Sequence, residues 1–486
     1  MKSDSGLRAS IVFAAVLGLV SCATFRTEDA ESVLRRADQA MGGTSLKTIR
    51  YAGNGTGGVF GQAYRPGMAW PKVNYSSYSR LADYENAALR DEAARGRAEP
   101  TGGGALPLMG LGEQRTTGLL RGTDAWNMAG PAPVPAPIAV DARIHALWTT
   151  PHGVIKAALR NKATLRNEGG KSVVSFTEAG RFTATAWINA DNLVERIDSR
   201  VPHPVLGDTV VETTYSDYRD FSGVKFPTRI RQTQGGFPVL DLEVKEVQPN
   251  VASGIEVPDL VKAAAERVTA EKAAEGVWYI AGGSHHSVAI EMKDHLILVE
   301  SPLFDRRASP MIAEVKKLAP GKGIRYAINS HHHFDHAGGL RTAAAEGATL
   351  VTSGLAKAWY ERVLANPNRI SPDAFEKSGR KATVIGVDGK RVFTDGARTV
   401  EVYEIEGSVH SQGFLMVYLP AEKLLIEADA YTPGPPKAAP PAKPNDNHVN
   451  LVQNIERLKL SVDRILPLHG RIVPLADLHA AIGRKP

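Results

Sequence analysis

Between His331 and His336 the chain reads His331-His332-His333-Phe334-Asp335-His336, four imidazoles and a carboxylate within one short segment. Most of the 14 histidines lie at or beyond His285, a skew that scattered structural histidines would not produce. If a strand ends at Ser330, alternation with a period of two sends His331 and His333 to the same face. Two imidazoles so placed can grip one cation. Asp335 and His336 follow in the turn that opens the next helix, where they can face a second cation while His332 and Phe334 turn away. Imidazole together with carboxylate suits zinc, with iron and manganese as alternatives.

The stretch from Ser330 to Gly339, closed by Ala337-Gly338-Gly339, resembles the HxHxDH motif of the metallo-β-lactamase superfamily. The resemblance extends over residues 270–486, because later ligands of that family appear in order. His410 precedes Ser411-Gln412-Gly413, Asp429 follows the apolar run Leu424 to Glu427, and His469 sits in Pro467-Leu468-His469-Gly470. Carried over position by position, the resemblance implies that His331, His333 and His410 bind a first metal, and that Asp335, His336 and His469 bind a second. Asp429 would bridge the two. It further implies a four-layer αββα sandwich and a hydrolase that takes a small-molecule ester, thioester, amide or related bond. A pair of zinc ions would lower the pKa of a shared water from about 15.7 toward about 7, supplying hydroxide at neutral pH. Asp335 or a metal-bound water could then pass a proton to the leaving group.

Each element of this reading has a rival. A histidine-rich run can be an incidental surface chelator, but such a run would not require His410, Asp429 and His469 downstream. Glu427 competes with Asp429 as the bridging carboxylate, and the position just past a strand end favours Asp429. His285 and His286, after Gly282-Gly283-Ser284, either face the metals or form a polar turn, and loop statistics favour the turn. Tyr431 is a candidate hydrogen-bond donor to substrate; the remaining histidines are assigned to packing or surface. The only cysteine is Cys22, which excludes the β-lactamases with a cysteine ligand, and His333 stands where flavodiiron oxidoreductases have a glutamate. A mononuclear-iron sulfur dioxygenase of the same superfamily is the alternative enzyme. A non-catalytic envelope binding protein with a structural metal is the alternative outside catalysis, although structural zinc sites are closed and rich in thiolates.

The elements that must position these residues read as α/β from residue 275 to 486. Strands are expected at Val277 to Ile280, Ser287 to Met292, Leu296 to Glu300, Arg325 to Asn329, Thr399 to Ile405, Phe414 to Leu419 and Lys423 to Ile426, with helices at Met311 to Leu318 and His448 to Leu460. The loops around His285, Trp359 to Asn368 and Pro433 to Asn447 would line the pocket. Residues 25–257 read differently: short alternating stretches such as Ser172 to Thr177 and Thr183 to Ile188 predict a mainly antiparallel β domain, opened by a helix from Ala30 to Met41. Gly96 to Gly112 predicts a long loop. Thr214 to Arg219 and Gly223 to Pro227 resemble strands of outer-membrane lipoprotein-carrier half-barrels, which hold apolar ligands; a purely structural module is the other reading. Residues 258–274 are expected to be a linker ending in a short helix.

Composition bounds the rest. With 43% hydrophobic and 23% charged residues the chain is globular. Its net charge of +6 is scattered, without a dense Lys/Arg run or interleaved aromatics, which speaks against nucleic-acid binding. Residues 1–22 carry Lys2 and Arg8, an apolar run from Ile11 to Val20, and then Ser21-Cys22-Ala23, the layout of a secretory signal. Leu19-Val20-Ser21-Cys22 also resembles a lipobox, implying cleavage before Cys22, lipidation of its thiol, and a periplasmic or outer-membrane-anchored protein; cleavage after Ala23 is the alternative.

Overall fold

The computed structural model describes residue 1 and residues 29–98, 112–436 and 442–484. Cys22 and the expected signal segment lie outside the described residues, as do most of the 96–112 loop and part of the Pro-rich stretch near 440.

Between Thr48 and Pro249 the chain forms one 13-stranded antiparallel sheet. The first six strands, Thr48–Gly58 through Ala132–Pro135, form one meander; the last seven, Thr164–Glu168 through Phe237–Pro249, form another. The two meanders join where Thr48–Gly58 pairs with Phe237–Pro249, Ile49 lying opposite Pro249. The cause is visible in single strands. In Phe182–Ile188 every second residue is buried, the period-two signature of a sheet with one packed face. That face is covered by three helices, Ala30–Ala40, Val140–Trp148 and Pro151–Arg160, whose Val33, Leu34, Ile144, Leu147, Val154 and Ile155 share one core with Ile49, Phe182, Phe226 and Leu242.

The C-terminal region is a four-layer αββα sandwich. Its first sheet has seven strands, from Thr269–Ala274 to Thr383–Val387, antiparallel at the start and parallel from Leu296–Val299 onward. The second sheet has six, from Lys390–Thr394 to Val473–Pro474. Strands buried on both faces read as unbroken apolar runs, as in Leu296–Val299 and Leu415–Leu419. The inner core lies between the sheets, where Ile290, Val299 and Ile328 meet Val402, Val417 and Leu425. Helices Asp305–Leu318, Leu340–Ala345 and Gly354–Leu364 cover the outer face of the first sheet, while Asp446–Arg457 and Leu475–Ala481 cover the second.

Three expectations differ. The segment expected to be a linker, 258–274, carries its helix at its start, Asp259–Lys262, and ends in the edge strand Thr269–Ala274. The stretch from Trp359, expected as a loop, is helical up to Leu364. Helix Asp305–Leu318 begins six residues earlier than the expected Met311 and runs through Pro310. Among the described residues, no helix is long and apolar enough to cross a membrane.

Candidate metal centre

Strand Ile324–Ile328 ends in Asn329 and Ser330, and the chain then turns sharply so that His333, extended at φ −61° and ψ 145°, caps the short helix Phe334–Ala337. Gly338 makes the turn fit: a Cβ there would lie 1.7 Å from the carbonyl oxygen of Leu303. Leu303 N–H in turn donates to the Asp335 carbonyl at 2.8 Å, fastening the turn to the exit of strand Leu296–Val299. Asp429 lies just past Leu424–Glu427 and His469 just past Arg464–Pro467, two parallel strands, so both side chains arrive at the same end of the second sheet. His410 arrives from the connection between Thr399–Glu404 and Leu415–Leu419.

Two groups result. His331, His333, His410 and Asp429 converge with one ligand atom each within 4.8 Å of the others, and all four are buried. His285, Asp335, His336 and His469 do the same beside them. In the first group His331 Nε2 lies 2.9 Å from His333 Nδ1 and 3.1 Å from His410 Nε2. Asp429 spans both: its Oδ2 is 2.8 Å from His410 Nε2 and 3.3 Å from His336 Nε2, and its Oδ1 is 2.8 Å from His469 Nε2. All seven residues singled out in the sequence are therefore brought together. Glu427 is not; its Oε2 accepts the Tyr431 backbone N–H at 2.8 Å, and burial pushes its carboxyl well up.

The imidazoles are oriented from behind. His336 Nδ1 lies 3.2 Å from Glu300 Oε2. His331 Nδ1 lies 3.0 Å from Ser330 Oγ, whose hydroxyl donates to the same Glu300 carboxylate. His469 Nδ1 donates to the Ser284 carbonyl at 2.8 Å, and His285 Nδ1 pairs with the Ser284 hydroxyl at 2.8 Å. His333 Nε2 donates to the Ala63 carbonyl at 3.0 Å. With their outer nitrogens held by hydrogen-bond partners, His331 Nε2 and His333 Nδ1 present lone pairs to one another at 2.9 Å. That arrangement is unfavourable for imidazoles alone and suits a shared cation, with a backing partner for each ring.

Electrostatics agree with this geometry. Burial and the neighbouring His336 hold His331 well below the ordinary histidine range, and burial does the same for His333. His336 is the exception: burial opposes its charge, but Asp429 and Asp335 outweigh burial and push it well up. Asp429 and Asp335 are held well down because the surrounding imidazoles outweigh their burial. The carboxylates thus demand positive charge at this spot, and divalent cations fit the donor set.

Some placements differ from the sequence reading. His285, preferred as a turn residue, reaches Asp335 Oδ2 at 3.2 Å and joins the second group. His286 packs on Tyr279, and its Nδ1 accepts the Gly282 N–H at 3.3 Å. Tyr431 is buried with its ring edge-on to His448. His332 does turn away from both groups, as expected, and donates from Nε2 to Ala63 at 2.8 Å; burial pushes it down to about 3. Sequence reasoning missed Glu300, although a carboxylate closing the wholly apolar run Leu296 to Val299 was a readable signal. It also missed residues from the N-terminal sheet. Gln62 Nε2 donates to Asp335 Oδ1 at 2.9 Å, and nothing local in the 59–71 sequence announces that contact.

The profile of the Metallo-beta-lactamase superfamily matches residues 280–473. No curated protein sequence matches the chain. Similar solved structures include a metallo-β-lactamase from Pontibacter korlensis, at 18% identity and TM-score 0.35, covering 45% of this chain and 98% of that one. FIM-1 from Pseudomonas aeruginosa, in its mono-zinc form, has 16% identity and TM-score 0.33, covering 44% of this chain and 92% of its own. The sandwich that carries both ligand groups, residues 280–473, has the metallo-β-lactamase superfamily fold.

Proposed function

We propose that the protein is an exported, metal-dependent hydrolase with a dinuclear zinc centre, acting on an ester, thioester, amide or related bond of a small molecule. The observation that carries this reading is the pair of adjacent four-residue groups joined by the two oxygens of Asp429. When bound, two divalent cations supply Lewis acidity and a source of hydroxide at neutral pH. His331, His333 and His410 would hold the first, and Asp335, His336 and His469 the second, with His285, 3.2 Å from Asp335, as a further candidate in the second set. Asp335, partly exposed where the first group is sealed, is the residue suited to take the proton released by the attacking water and pass it to the leaving group. The absence of thiolate among these ligands favours an open, reactive site over a closed structural one. Export rests on the character of residues 1–22, and membrane attachment on Cys22.

Mass spectrometry of the mature protein, purified without added metal, tests the reading. About two zinc ions per chain are expected, fewer in His331→Ala, together with hydrolysis of at least one of a panel of lactams, thioesters, phosphodiesters and sulfate esters that Asp335→Ala abolishes. One iron and no hydrolysis would move the assignment to the sulfur dioxygenases. No tightly bound metal would overturn it. Metabolic labelling with a fatty acid, lost in Cys22→Ala, tests the anchor.

A further inference from the structure

The 59–71 loop, which joins two strands of the N-terminal sheet, enters the metal centre from outside the sandwich. Its Gly61 carbonyl accepts the Phe334 N–H at 3.2 Å, and its Tyr64 carbonyl accepts the Gln412 N–H at 2.8 Å, so it bridges the two ligand-bearing segments. Between these anchors come Gln62 and Ala63. A carbonyl oxygen only accepts, so His333 must carry its proton on Nε2, which leaves the Nδ1 lone pair facing His331 and His410. A carboxylate also only accepts, so the Gln62 amide must turn its NH2 toward Asp335. The other end of that amide, Oε1, is buried without a partner, and Gln62 as a whole is 7% exposed.

We propose that the N-terminal sheet builds one wall of the metal centre through this loop. Gln62 is a positioning residue for Asp335 in the second group, and the Ala63 carbonyl fixes the tautomer of His333 in the first. The inference rests on the dinuclear reading and adds that the sandwich is incomplete without the sheet. Backing partners of this kind typically change metal affinity by roughly 10–100-fold.

Two full-length variants separate the contributions. Gln62→Leu keeps the bulk and removes the donor. Gly61→Ala displaces the whole loop, since a Cβ there would meet the Phe334 ring at 2.5 Å and the residue sits at φ +84°. Stepwise zinc removal by a chromophoric chelator reads the two ions, with circular dichroism confirming the fold. Gln62→Leu is expected to loosen one ion about 10-fold or more and leave the other at wild-type affinity, whereas Gly61→Ala loosens both. Cobalt substitution should show the altered ion of Gln62→Leu as the one also lost in Asp335→Ala. Unchanged affinities in Gln62→Leu, or equal loosening of both ions, would overturn the proposal while leaving the dinuclear reading intact. A wild-type chain that binds no ion would overturn both.

Discussion

Asp429 carries more of the centre than any other side chain, because its carboxylate reaches both groups: Oδ2 meets His410 and His336, and Oδ1 meets His469. Asp429→Asn keeps the shape, removes the charge and turns one oxygen into a donor; it is expected to cost both ions, checked by metal analysis after dialysis. Glu300 acts one step further out, holding His336 directly and His331 through Ser330. Its backbone adopts φ +70°, an uncommon conformation for a residue with a Cβ, and its N–H donates to the Ile328 carbonyl at 2.8 Å. Glu300→Gln should loosen both ions by roughly 10–100-fold without unfolding the chain, read by the same chelator competition. This contrasts with Gln62→Leu, whose effect belongs to a single ion.

At the level of helices and strands, the N-terminal sheet and its helices enclose histidines that burial keeps neutral. His145 and His152 are pushed down to about 4, and His203 to about 3. Between the unfolded value near 6.5 and these folded values, the unfolded chain binds more protons, so stability falls as pH falls through that window and is fully present above it. Each group contributes up to about 1.4 kcal/mol per pH unit. His152→Gln retains a donor for the Met41 carbonyl, which His152 Nε2 meets at 3.1 Å. Urea unfolding followed by tryptophan fluorescence at pH 7, 6 and 5 should show a shallower acid loss in this variant. Periodicity made most of these elements legible. Ala30–Ala40, Lys171–Glu178 and Phe182–Ile188 match their expected positions within a residue or two. The His331–His336 segment was legible because its ligands are local in sequence, and His410, Asp429 and His469 because they fall beside apolar strands. Gly354–Leu364 and Thr349–Ser353 were not, since a short apolar run running straight into a helix offers no turn signal between the two. The role of Gln62 was invisible for another reason: it is 273 residues from Asp335 along the chain.

Across the whole molecule, two loops of the N-terminal sheet hold the sandwich. The 59–71 loop surrounds Phe334 with Phe60 and Trp70, at 5.2 and 5.6 Å between ring centroids, while His203 approaches it at 4.7 Å. The turn between strands Val194–His203 and Gly207–Phe221 places Val205 in the same core as Trp359, and at the start of the second of these strands Asp208 N–H donates to the Pro367 carbonyl at 2.8 Å. Phe334 belongs to the sandwich yet is packed largely by the sheet. Phe334→Ala should cost roughly 2 kcal/mol of coupling between the halves and split one calorimetric transition into two. The pairing of Ile49 with Pro249 has a consequence in time. A chain made from its N-terminus has every strand of the sheet in hand by Pro249, well before His285, the earliest residue of either ligand group, has been added. The surface that will back His333 and Asp335 can therefore exist before they do, so the ligand-bearing turn assembles against a mould already cast.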